Sequence, residues 1–310
     1  MKEKTDKKYF VGDIKSLQEE FYRNYPDGYW TYKICLLKNA YSDFDSAKAA
    51  LTKNIEGCID TDFRKMLRTE MHFLYFQLIE ALFEMIFAIT DADNRNMWVS
   101  LSFSNWKRNY ERVRLYAERA INAPNFRRPI KIGKEGDEQE IPLLRWIFYF
   151  NYPLSLTNDQ WNKNLDNIEA LLHCFAKDFS DRGDYNAFKH SLRFYNSECS
   201  FAIGKTGAPE AHVIGASQDA ITFLEEEIEK TPTGEEKRYI NTTTKPFDFE
   251  RDYRCAIAIS ALIQNMINTR KHSILENLHG ESVELHKFDG ISPAELCLPK
   301  TGLSRISIRN

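Results

Sequence analysis

Residues 64–90, RKMLRTEMHFLYFQLIEALFEMIFAIT, contain neither glycine nor proline and consist largely of Leu, Met, Phe, Ile and Ala. Good helix formers without a breaker predict one helix of about seven turns. Between 71 and 89 the polar residues Gln77, Glu80 and Glu84 fall at i, i+3 and i+7, a single narrow stripe on an otherwise apolar cylinder. Such a helix must be covered on nearly every side, so the chain is expected to build a bundle around it. A membrane span is disfavoured, because two carboxylates and an amide across the middle of the run are costly in hydrocarbon.

The rest of the chain can supply that cover. At 310 residues, with 43% hydrophobic side chains, 21 Phe and 15 Tyr, it can bury a core without disulfides or metals. The six cysteines are scattered and form no CxxC, which predicts buried reduced thiols rather than a disulfide frame or a zinc site. No cofactor or metal is implied. The opening MKEKTDKKYF is charged and lacks a following apolar stretch, so no secretory signal is expected and the cytoplasm is the predicted location. A net charge of −3 gives no global attraction to nucleic acid or anionic lipid, so a site for either would have to be a local patch.

Helical spacing recurs at 13–24, 42–55, 104–121, 159–178 and 250–278, the last again apolar nearly all round. Thr157-Asn158 is capping material for the fourth of these, and Asp184 for a further helix over YNAFKHSLRFYN. Ile141–Phe150 is an aromatic run of ambiguous type that Pro153 ends. Alternating segments punctuated by Gly, Pro and Thr suggest a small sheet or hairpin at about 199–248. No solenoid repeat or low-complexity linker is present, so 1–310 reads as one mainly α domain, a helical bundle with a small β insertion, and the tail past Gly280 as short-range structure or coil.

Three groups of residues carry possible chemistry. On a helix, Asn186, His190 and Arg193 share one face with Lys189 beside them, which brings an amide, a titratable imidazole and fixed cations together; a solvated polar face gives the same pattern. Glu80 and Glu84, on a buried helix, must find cations or donors, and a natural partner for them is His190; a plain buried salt bridge is the structural alternative. The segment 107–134 carries Lys107, Arg108, Arg112, Arg114, Arg119, Arg127, Arg128, Lys131 and Lys134 among Trp106, Tyr110, Tyr116 and Phe126. That pattern suits an RNA backbone with stacked bases, and equally a solvated helix face. His72 reads as a satisfied core-edge histidine. His173 and Cys174 point apart on a helix, no HExxH, GxGxxG or GxSxG occurs, and Gly204-Lys205-Thr206 lacks the context of a phosphate loop.

YNAFKH near the start of a late helix, the DRGD that precedes it and the earlier QLIEALFEMI helix together resemble the HEPN superfamily of helical bundles. The resemblance covers about 64–195 plus 250–278 and implies a strand-rich insertion between helices and a homodimer. That superfamily includes metal-independent endoribonucleases and non-catalytic nucleotide-binding or accessory proteins. Its nuclease signature is an Arg, often followed by Asn, then His four to six residues later. Asn186 and His190 match, whereas Tyr185 occupies the Arg position, and a phenol cannot offset phosphate charge.

Two functions are therefore expected. In one, the protein is a non-catalytic or weakly active HEPN-like protein that binds RNA, a nucleotide or a protein partner, with Tyr185, Glu84, Arg108 and Arg112 as binding residues. In the other it is an endoribonuclease: His190 acts as general acid/base on a ribose 2′-hydroxyl, Asn186 positions the phosphate, Glu80 orients His190, and Lys189, Arg193 or Arg182 offsets the charge. The replacement at Tyr185 tilts the reading toward the first.

Overall fold

The computed structural model describes residues 13–53, 57, 59–91, 96–133, 136–150, 152–190, 192–203, 212–230, 236–275, 283–298 and 306–309. The charged start, Lys134, Gly204-Lys205-Thr206, residues 276–278, Cys58 and the Cys199 side chain fall outside what is described.

The apolar run forms α4 (Asp60–Thr90), and its side chains Phe73, Tyr75, Leu78, Ile79, Leu82 and Ile86 are wholly buried. Burying each such side chain stabilises the fold by about 2–3 kcal/mol relative to leaving it in water, so α4 is the axis of the core. An 18-residue stretch of it has a mean hydropathy of 1.6, enough to cross a membrane by composition, yet 67% of that stretch is buried inside the protein. Long helix α10 (Phe249–Ile274) lies along α4 and buries Cys255, Ile259, Leu262, Ile263 and Met266. Around this pair pack α1 (Ile14–Asn24), α2 (Tyr29–Ser42), α3 (Phe44–Thr52), α5 (Met97–Ser102) and α6 (Trp106–Ala117). The remaining helices are α7 (Leu143–Tyr149), α8 (Asn158–Ser180), α9 (Gly183–Lys189) and the short α11 (Pro293–Cys297).

Local chemistry accounts for several boundaries. Asp13 caps α1 by accepting from the Lys15 and Ser16 amides, and Asp248 caps α10 by accepting from those of Glu250 and Arg251. Thr157 and Gln160 form a complete capping box at α8, as the Thr157-Asn158 pair predicts. The aromatic run 141–150 resolves into two states. Ile141 closes strand β2 (Gln139–Pro142), paired antiparallel with β1 (Pro129–Ile132), and α7 starts directly after Pro142. Gly133 leads the turn between these strands at φ +110°, where a Cβ would stand 2.6 Å from the Asp137 carbonyl oxygen.

The second sheet is larger than the predicted insertion. It runs β3 (Phe194–Ile203), β4 (His212–Lys230), β5 (Glu236–Pro246), β6 (Ile306–Arg309), in that order and all antiparallel. It therefore starts before residue 199 and recruits residues 306–309 of the tail expected to be short-range structure or coil. The predicted helix over 185–196 is cut short for the same reason: Phe194 pairs with Phe223 and Tyr195 with Thr222, and those long-range ladder bonds end α9 at Lys189. The chain turns through His190 and Leu192, the latter at φ +52°. The segment 29–42 also forms a helix that no strong apolar periodicity announced.

Candidate functional site

The polar stripe of α4 proves to be a row of tethers. Gln77 accepts from Lys33 Nζ of α2 at 2.8 Å. Glu84 accepts from Asn109 Nδ2 of α6 at 2.8 Å and from the Ser104 hydroxyl. Glu80 takes α9: Tyr185 donates its hydroxyl to Oε2 at 2.9 Å and Lys189 Nζ lies 2.9 Å from Oε1. Burial, then the Glu80 charge, pushes the Tyr185 phenol far above its ordinary value, so it acts as a fixed donor.

His190 is not part of this group. It sits exposed at the C-cap of α9, so the face uniting it with Asn186 and Arg193 at helical spacing does not form. Asn186 and Arg193 are exposed too, and both line a hollow of about 720 Å³ between α9 and the second sheet. Arg182 is buried, its guanidinium 3.8 Å from the Tyr110 ring centre and 4.7 Å from that of Phe179. The structure thus brings Glu80, Tyr185, Lys189 and Arg182 to one neighbourhood, puts Asn186 and Arg193 on the hollow beside the sheet and leaves His190 apart from both.

The basic segment is mostly neutralised where it stands. Arg112 makes a two-pronged pair with Asp91 at 2.7 and 3.0 Å, with Arg108 3.6 Å from the same carboxylate. Arg114 is shared by Glu111 and Glu118, Arg127 by Asp166 and Glu169, and Lys131 is 3.0 Å from Glu138. Among the four cysteines described, all free thiols, Cys255 is buried and Cys174 and Cys297 half-buried, but Cys35 is exposed, against expectation.

The densest polar constellation lies elsewhere, between α4, α8, α9 and the β5–α10 connection. His72 of α4 is buried with both ring nitrogens engaged: Nδ1 is 2.6 Å from Asp252 Oδ2, and Nε2 is 2.9 Å from Asp184 Oδ2. Phe247 stacks on its ring at a centroid distance of 4.6 Å and Phe76 meets it edge-on at 5.1 Å. Burial alone would lower the His72 pKa, but Asp252 and Asp184 outweigh it and hold the imidazole up to about 9, a permanent cation at neutral pH. Asp184, predicted to cap a helix, turns inward instead, and Arg182 takes the cap position. Burial would raise the Asp184 pKa, yet Lys245 and His72 hold it well below the carboxylate range.

The network continues outward. Lys245 Nζ lies 3.4 Å from Asp184 Oδ1 and 3.5 Å from Asp181 Oδ2. Arg251 pairs with Asp178 and reaches Asp252 at 3.3 Å, while Tyr75 donates its hydroxyl to Asp178. These groups floor a cleft of about 600 Å³. Its rim carries the exposed Lys177 and Arg119, the latter donating through Nε to His173 Nε2 at 2.8 Å. His173 has a lowered pKa, from burial and from Arg119 and Lys177, so it is a neutral acceptor. Neither rim cation is drawn into a carboxylate pair among the described residues.

Arg119 holds a left-handed φ of +54° just past the end of α6, where glycine would be the least strained choice. The Arg119–His173 pair also borders a second hollow of about 590 Å³, lined by Tyr116, Pro124, Phe126 and Glu169.

His72 is legible in the sequence as a satisfied histidine, but its partners are not, because Asp184 and Asp252 lie 112 and 180 positions away. The local signal was two acids, each at the start of a helix with an apolar face. No protein-family model, curated protein or solved structure matches this chain.

Proposed function

We propose that this protein is a non-catalytic binding module whose site is the cleft above His72, and that its ligand is a small anionic molecule of nucleotide size. The observation that carries this reading is the contrast between floor and rim. The floor is a closed ion network in which the cations His72, Lys245 and Arg251 face Asp184, Asp252, Asp178 and Asp181. At the rim, Arg119 and Lys177 keep their charge available over a cleft of about 600 Å³, a volume typical of ligand sites. A phosphate bound between them satisfies both cations, while the aromatic and thiol side chains below supply apolar contact.

The ribonuclease reading is not favoured, because it needs an imidazole with a nitrogen free for the substrate. Both nitrogens of His72 are committed to carboxylates, and His190 stands exposed without Glu80 behind it. A nucleotide is also one of the ligand classes, beside RNA and a protein partner, that the HEPN resemblance implies for non-catalytic members, and the chemistry of the cleft favours it among the three.

Isothermal titration of the purified protein with nucleoside mono- and diphosphates, and with inorganic phosphate, tests the reading. At least one of these binds, with affinity that falls as salt rises, and Lys177→Gln and Arg119→Gln each weaken it by about tenfold, the loss of one charge-assisted hydrogen bond. Absence of binding across the panel defeats the proposal. A parallel incubation with RNA in EDTA guards the other side: cleavage abolished by His190→Ala replaces this reading with the ribonuclease one.

A further inference from the structure

Three thiols meet where α8, α10 and α11 come together, and apolar contact with a ligand makes no use of their reactivity. Cys174 and Cys297 line the cleft and are half-buried, while Cys255 is wholly buried beneath them. Arg251 joins the two cleft-lining residues: its Nε donates to the Cys297 carbonyl oxygen at 2.8 Å and its Nη2 lies 3.9 Å from Cys174 Sγ. Cys255 is turned to the backbone, its Sγ 3.8 Å from the Leu296 carbonyl oxygen.

Helix α11, which carries Cys297, packs on α8, which carries Cys174, so both thiols open on the same cleft. Cys297, with Arg251 in support, draws the Cys174 pKa down against its burial, whereas Cys174 and Cys255 push that of Cys297 up. Cys174 is therefore the more acidic of the two thiols. Reactive cysteines have this setting, an accessible sulfur with a fixed cation close by and a second thiol positioned to follow.

We propose that Cys174 and Cys297 form a peroxide-responsive dithiol, Cys174 being the sulfur oxidised first and Cys297 the one that resolves it, with the product a disulfide tying α11 to α8 along the cleft wall. In the first step the Cys174 thiolate attacks one oxygen of hydrogen peroxide. The S–O bond forms as the O–O bond breaks, and the departing hydroxide takes up a proton to become water. In the second, Cys297 sulfur attacks the sulfenic sulfur; the S–S bond forms, the S–O bond breaks, and the hydroxyl leaves as water with the Cys297 proton. The dithiol loses two protons and two electrons, and one peroxide becomes two waters. This proposal stands whether or not the cleft binds an anion, since it uses only thiols, Arg251 and the opening to solvent.

The test is peptide mapping of the full chain after reduction, desalting, equimolar hydrogen peroxide and capture of remaining thiols with N-ethylmaleimide. The expected first product is a peptide pair joined through Cys174 and Cys297 and released by dithiothreitol. Cys297→Ser accumulates a dimedone-reactive sulfenic acid at Cys174, and Cys174→Ser leaves Cys297 reduced at the same dose. Oxidation that starts at the exposed Cys35 with Cys174 intact, or a disulfide joining Cys255 to Cys297, overturns the assignment. The wild-type map needs no variant to fold, so it distinguishes these outcomes by itself.

Discussion

Replacing His72 by Gln removes the cation that two buried carboxylates share, and the size of the effect follows from the geometry. In the folded protein the imidazole is held up to about 9, against 6.5 for an unperturbed histidine. Below pH 6.5 both folded and unfolded chains carry the proton, and the stabilisation is fully present. Between 6.5 and 9 only the folded chain keeps it, so stability declines by about 1.4 kcal/mol per pH unit, about 3 kcal/mol across the window, and above that it is gone. At neutral pH the substitution leaves Asp184 and Asp252 facing each other without their shared cation, a loss of about 3–5 kcal/mol. Denaturant unfolding followed by far-UV circular dichroism, repeated from pH 6 to 10 on wild type and H72Q, reads both quantities. Other groups titrate in this range in both chains and cancel in the difference, which is expected to shrink steadily from pH 6.5 to 9. Parallel pH profiles for the two proteins would refute the claim that His72 is a buried cation.

Three further outcomes are expected. Arg270, buried without a carboxylate partner among the described residues, donates to the carbonyl oxygens of Ile147 at 2.7 Å and Trp146 at 3.0 Å, closing the C-terminal end of α7; Arg270→Leu removes both bonds and leaves the Ile147 carbonyl without this donor, destabilising the protein by about 2 kcal/mol in urea unfolding. Arg119→Gly relieves the left-handed backbone at φ +54°, so it raises stability by up to about 1 kcal/mol while weakening anion binding in titration calorimetry, an opposition that a purely structural arginine would not show. Glu80→Gln keeps an acceptor for Tyr185 and loses only the ion pair to a Lys189 side chain that is 39% exposed, so thermal unfolding shifts by no more than about 1 kcal/mol in stability.

The parts of the fold legible in the sequence are those governed by short-range periodicity. The 64–90 run becomes α4, 159–178 becomes α8 and 250–278 becomes α10, each within a few residues, because an apolar face and a cap are local properties. YNAFKHSLRFYN also has helical spacing, but Phe194 and Tyr195 gain more from pairing with β4, and no local pattern contains that alternative. The same holds for β6, whose residues pair with Asn241–Thr244 of β5, more than sixty positions earlier. The polar stripe Gln77, Glu80, Glu84 was visible, though not its three separate partners on α2, α9 and α6. The cleft was hidden for a related reason: Asp184, Lys245 and Arg251 read singly as a cap, a strand residue and a helix residue, and only tertiary packing gathers them around His72.

A chemical-shift titration with a nucleoside monophosphate, on protein labelled at histidine, lysine and arginine side chains, addresses the account at its centre. Resonances of Lys177, Arg119 and His173 are expected to move with ligand, while the His72 imidazolium stays protonated and unmoved below the cleft. Shifts confined to His190 and Arg193, or a His72 ring that loses its proton near neutral pH, would contradict it.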